Sequence, residues 1–167
     1  CNNAKLTNSE GSWRILGDPT EGALVVLARK GGLLPEKDLE IRSLVQELPF
    51  DSERKMMSVI YRRAGTRETV AYVKGAPDIL LKSCDKFLLN GKVHRLSDKD
   101  RQRILEVNNS FAGDALRVLG VACRELPSLT QYAMDSVEDN LVFVGLIGMI
   151  DPPREEVYSA IAQCHDA

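Results

Sequence analysis

The sequence predicts a mixed α+β fold, a six- to seven-stranded and mostly antiparallel sheet flanked by helix pairs. Three observations predict it. Segments with the period-2 alternation of half-buried strands recur along the chain, and most are joined by short turns. Helical segments are inserted between them in pairs. The 167 residues, 44% hydrophobic and 28% charged, suffice for one sizeable core and are too few for two.

Residues 12–16 form a β-prone segment that stops at Gly17-Asp18-Pro19, and residues 23–30 follow as a helix with an apolar face. Asp18 suits the N-cap, Pro19 the first helical position and Glu21 the reciprocal acid of a capping box, with Gly31-Gly32 as the stop. A second helix is expected over 36–46, with Leu39, Leu44 and Val45 facing inward. Residues 55–63 and 68–74 flank Ala64-Gly65-Thr66 as a hairpin. Met57, Val59 and Tyr61 share one face of its first strand, and Val70, Tyr72 and Lys74 share one face of its second. A short helix is expected over 77–84, then strands over 86–89 and 92–95 around Asn90-Gly91, the strongest short-range hairpin dipeptide. Ser97 and Asp100 open a long helix to about Ala112, with Gly113 as its stop. Residues 116–123 and 141–150 read as buried strands joined by a polar loop holding Pro127. The glycines of Gly145-Leu146-Ile147-Gly148 read as close backbone approaches. Asp151-Pro152-Pro153-Arg154 breaks the last strand and marks a domain boundary, after which 155–164 restarts as a helix with Val157, Ile161 and Cys164 on one side.

Composition removes several functions. With 22 Lys plus Arg against 24 Asp plus Glu the net charge is −2, without the basic excess of a nucleic-acid binder. The longest apolar run, 141–150, is far short of the roughly 20 residues a membrane helix needs. Cys1, Cys84, Cys123 and Cys164 are widely spaced and only His94 and His165 could join them, so neither a disulfide framework nor a zinc site is signalled; four reduced thiols in a cytosolic setting are expected. Without an initiator Met or a signal-peptide pattern, the chain reads as a segment of something longer. Phosphate-loop, dinucleotide and nucleophile-elbow motifs are absent, and two histidines leave little for a hydrolytic triad. Asn108-Asn109-Ser110 matches a glycosylation acceptor by chance. Binding is expected rather than catalysis by this segment alone.

Three stretches are unusual for a plain core. Lys74-Gly75-Ala76-Pro77 sets a cation at a strand end, then two residues with little side chain, then a helix start; it reads equally as a strand-to-helix turn with a surface Lys. Phe50 precedes a charged loop, Asp51-Ser52-Glu53-Arg54-Lys55, and the pair Met56-Met57, and taken alone it also reads as a core residue. Arg117 and Leu119 share a strand face, which an exposed edge position explains as well.

Taken together, Gly17-Asp18-Pro19-Thr20-Glu21, Phe50-Asp51-Ser52-Glu53-Arg54-Lys55-Met56-Met57-Ser58, Lys74-Gly75-Ala76-Pro77, Leu116-Arg117-Val118-Leu119 and Asp151-Pro152-Pro153-Arg154 resemble, in order and spacing, the nucleotide-binding domain of P-type cation-transporting ATPases. The form of the Phe50 stretch is most similar to the calcium-pump branch. The resemblance implies a nucleotide-binding domain over 1–150, with the hinge and the truncated start of the phosphorylation domain over 151–167. It implies ATP as ligand, as Mg-ATP with the Mg not bound by this domain alone. Phe50 would stack on adenine, Lys74 would line the pocket, and Gly75 and Ala76 would let the ring lie close to backbone. Glu21 would accept from the adenine amino group in competition with its capping role, Met57 and Leu119 would supply apolar walls, and Arg117 would reach the phosphates. Thr20 and Asp18 would shape the helix start. Ser52 stands where some relatives carry a phosphate-touching Arg, so a weaker phosphate grip is expected unless Arg54 compensates.

The family's phosphate-accepting Asp-Lys-Thr-Gly-Thr is absent, so the isolated chain is not expected to turn over ATP. The implied setting is a cytoplasmic, monomeric domain of an integral membrane pump. Its partners would be the phosphorylation, actuator and transmembrane domains, with no nucleic acid and no direct membrane contact. The implied task is delivery of the γ-phosphate to an Asp elsewhere, for transport of a cation such as Ca2+. The alternatives are a regulatory or interaction module of the same fold with weak or lost nucleotide affinity, and a phosphatase-like hydrolase.

Overall fold

Among the described residues the chain runs β1 (Lys5–Ser9), β2 (Ser12–Leu16), α1 (Pro19–Lys30), β3 (Arg42–Asp51), β4 (Met56–Arg63), β5 (Thr69–Gly75) and α2 (Pro77–Leu80). A single 3-10 turn (Leu81–Ser83) leads to β6 (Cys84–Leu89), β7 (Lys92–Arg95), α3 (Asp98–Gly113), β8 (Arg117–Leu126), α4 (Met134–Val137) and β9 (Leu141–Met149). The structure, a computed structural model, describes residues 2, 4–9, 12–34 and 41–150 together with Val157, Ile161, Gln163 and Cys164. Seven strands form one sheet in the order β3-β4-β5-β8-β9-β6-β7, while β1 and β2 make a separate antiparallel pair. Every pair in the large sheet is antiparallel except β6 with β9. The expected mostly antiparallel sheet is therefore present, with seven strands. No described helix is long and apolar enough to cross a membrane.

The hairpins follow their turn chemistry. Asn90 and Gly91 both take positive φ, 50° and 76°, as the tight turn between β6 and β7 requires. Asp18 caps α1, and Ser97 with Asp100 forms a full capping box on α3. Two clusters of buried residues lie on one face of the sheet, while Met57 and Val59 are buried on the other. Near α2 and α3 the first face holds Met56, Val73, Leu80, Ala122, Leu141 and Phe143; toward the 127–137 segment it holds Ile60, Ala71, Leu126, Tyr132 and Val137. Leu80, Leu141 and Ile60 are fully enclosed, each worth about 1.5–3 kcal/mol on transfer from water.

Four expectations are corrected. Arg42–Gln46 is not helical but the start of β3, paired with β4 from Arg42↔Arg63 onward. In a strand, adjacent Leu44 and Val45 point to opposite sides; Val45 packs on the Ile60 cluster and Leu44 is 55% exposed, so sheet pairing outweighs local helix propensity. The helix expected through Cys84 ends at Leu80, and Cys84 opens β6. The polar loop after β8 contains α4, whose Val137 is fully buried. Gly148 does meet Phe111 and Leu116 closely, but Gly145 has open space where a side chain would stand. Ile41 is a turn residue, while residues 36–40 of the helix expected over 36–46, the boundary at Asp151 and most of the 155–164 helix lie outside the described residues; Val157, Ile161 and Cys164 are helical and exposed.

Candidate functional site

The pairing register brings distant motifs into one row across the sheet. Leu48 pairs with Ser58 and Asp51 with Met56, so a β-bulge sets two residues, Pro49 and Phe50, opposite the single Met57. Met57 in turn pairs with Lys74, Lys74 with Val121, and Val121 with Gly145. Phe50 thus heads a row that runs through Met57 to Lys74 on the face opposite the core. Its side chain stands 64% exposed on an edge strand, while Met57 is only 6% exposed. Two residues along β8 from Val121, on the same face and past the end of β5, is Leu119, followed by the exposed Arg117.

The start of α1 closes the row from another part of the chain. Asp18 Oδ1 accepts from the backbone N–H groups of Thr20, at 2.8 Å, and Glu21, at 3.1 Å. The Glu21 N–H is the main cause that holds the Asp18 carboxyl below its usual range, against a smaller desolvation effect, with Thr20 and the Arg117 guanidinium adding to it. Lys74 Nζ donates to Glu21 Oε1 at 2.6 Å, with both side chains largely buried. The Glu21 carboxylate is therefore engaged with Lys74, while Asp18 supplies the cap.

The turn between β3 and β4 is tied down from three sides. Asp51 Oδ1 accepts from the N–H groups of Arg54, at 3.0 Å, and Glu53, at 2.9 Å, which in that order hold its carboxyl below the usual range. The Lys55 carbonyl accepts the Ala76 N–H at 3.1 Å. Arg54 is turned inward, donating to Glu138 and to the Pro49 carbonyl, and Ser58 Oγ donates to the same Glu138 oxygen.

Phe50, Met57, Lys74 and Glu21 are thus assembled by register and by contact, and Arg117, Leu119 and Thr20 stand at the same end of the sheet. Ser52 is exposed on the turn. Two of the named residues have contacts of their own away from the row. Gly75 alternates with Lys74, so its bare side faces away from the row: a Cβ there would meet the Lys55 carbonyl and the Met56 Cγ, both at 2.6 Å. Its smallness serves strand packing, and Ala76 caps α2. Arg54, the alternative named for offsetting Ser52 against the expected weaker phosphate grip, is held by Glu138. Sequence reasoning missed Glu138 and Ser58. Ser58 gave a faint signal, a polar residue in an apolar strand; Glu138, 80 positions away, gave none.

A hollow of about 220 Å³ lies farther along the sheet, lined among others by Tyr61, Val70 and Tyr72. Arg42 sits over the Tyr72 ring, 5.4 Å from its centre, and donates to its hydroxyl. Among the described residues no three His, Cys, Asp or Glu side chains are grouped to hold a metal ion.

A family model described as the cytoplasmic domain N of P-type ATPases matches residues 1–156. The chain is 38% identical over its whole length to a calcium-transporting ATPase of Bacillus subtilis and 40% identical to calcium-transporting ATPase 1 of Bacillus cereus. It is also 36% identical to a sodium/potassium exporting P-type ATPase of Schizosaccharomyces pombe. It spans 19%, 18% and 16% of those proteins' lengths. This chain belongs to the P-type ATPase family, as its cytoplasmic domain N.

Proposed function

We propose that this chain binds ATP through the adenine ring and, within a calcium-transporting pump, holds the nucleotide so that its γ-phosphate reaches an aspartate outside this chain. The carrying observation is the row Phe50–Met57–Lys74 closed by Glu21. Its chemistry suits a purine. The exposed Phe50 ring offers a stacking face, Met57 and Leu119 offer apolar contact, and a carboxylate can accept several hydrogen bonds at once, so Glu21 can serve an amino group while it holds Lys74. Arg117, exposed at the start of β8 two residues beyond Leu119, supplies the cation for the phosphates. With Ser52 neutral and Arg54 turned inward, affinity rests mainly on the adenine end. ATP supplies the phosphoryl group; this domain's part is positioning. The calcium assignment is supported by the names of the two Bacillus relatives.

Titrating the chain with ATP and following backbone amide shifts tests the reading. Shifts should concentrate at Phe50 and Lys74, and Phe50→Ala should weaken binding about tenfold or more. An unperturbed Phe50 and Lys74, or an unchanged affinity in the variant, would overturn it.

A further inference from the structure

We infer that Arg54 is a positioning residue for Phe50, locking the bulge that presents the ring, and that it is not a phosphate ligand. Bulges on edge strands are soft, because nothing pairs beyond them. β3 is such an edge, and Pro49, within the bulge, has no N–H with which to brace it. The brace comes from Arg54. One of its terminal nitrogens donates to the Pro49 carbonyl and the other to Glu138, so a single planar guanidinium ties the bulge to a fixed point.

That point is well anchored. The Glu138 side chain is 6% exposed, its N–H bonds the Met134 carbonyl at 3.0 Å, and it follows Val137, which is fully buried in the Ile60 cluster. Ser58, also fully buried, donates to the carboxylate that receives Arg54. The connection therefore runs from the core through Glu138 and Arg54 to Pro49, and so to Phe50. Using Arg54 on a phosphate would break this buried ion pair and strand the Glu138 charge, which is costly.

The inference rests on the adenine reading above, and the test separates the two. Affinities for adenosine, ATP and inorganic tripolyphosphate are measured on the 167-residue chain and on Arg54→Met, Arg54→Lys, Phe50→Ala and the double variant Phe50→Ala with Arg54→Met. Thermal unfolding is recorded on each. Arg54→Lys keeps the charge beside Glu138 but cannot reach both partners, and it stands in should Arg54→Met fail to fold. Adenosine and ATP binding should weaken by the same factor, about fivefold, the scale of one lost hydrogen bond. Tripolyphosphate binding should be unchanged, and Arg54→Met should add nothing in the Phe50→Ala background. In the ligand-free chain, the Phe50 amide and ring resonances should move in Arg54→Lys. Loss of ATP affinity with adenosine unchanged, full additivity, or unmoved Phe50 resonances would each overturn the inference. If Phe50→Ala leaves adenosine affinity untouched, the adenine reading falls instead, and the resonance shifts alone decide whether Arg54 sets the ring.

Discussion

Along β4, β5 and β8, one face carries Met56, Ser58, Ile60, Ala71, Val73 and Ala122, all buried, while the next residue on the same strands gives Met57, Lys74 and Val121 on the other. The first face is covered by α2, α3 and the 127–137 segment. The second receives the start of α1 through the bond between Glu21 and Lys74. One set of strands thus serves a close-packed core and an ion-paired site, because strand side chains alternate. The comparison teaches that stability and binding should separate by face, except where a residue belongs to both.

The largest expected effect lies on the core face. Leu141, on β9 and fully buried, should lose about 3 kcal/mol of stability on change to Ala. The nucleotide affinity of the folded fraction should not move; a parallel loss of affinity, in denaturant unfolding compared with calorimetric titration, would break the separation. Next comes Gly75, which faces away from the row but abuts the Lys55 carbonyl in the turn after Phe50. In Gly75→Ala the new Cβ would crowd the Lys55 carbonyl and Met56, at a cost of about 1–3 kcal/mol. Because Lys55 belongs to the turn that follows Phe50, this variant should lose affinity together with stability. Loss of stability alone would show that the turn yields without disturbing the bulge. The smallest stability effect is expected at Phe50, which is 64% exposed: Phe50→Ala should change unfolding by no more than about 0.5 kcal/mol, and its whole effect should fall on binding.

Much of this was legible in the residues. Asn90-Gly91, Asp18-Pro19 and Ser97 with Asp100 each specify their turn or cap by local chemistry, and the structure has all three. The motifs carrying Glu21, Phe50 and Lys74 could be picked out individually. What could not be read was pairing. Nothing local says that Arg42–Gln46 is better paired with β4 than coiled, that Phe50 and Pro49 share one partner, or that Glu138 closes on Arg54 across 84 positions. Gly75 was identified as a close approach, but only the alternation of β5 shows that the approach is to β4 and not to the site.

The most direct measurement is the set of nuclear Overhauser contacts between the adenine protons of bound ATP and the chain. The proposed site requires contacts to the Phe50 ring and the Lys74 methylenes. Contacts to Tyr61 and Tyr72 in the neighbouring hollow, with none to Phe50, would contradict it.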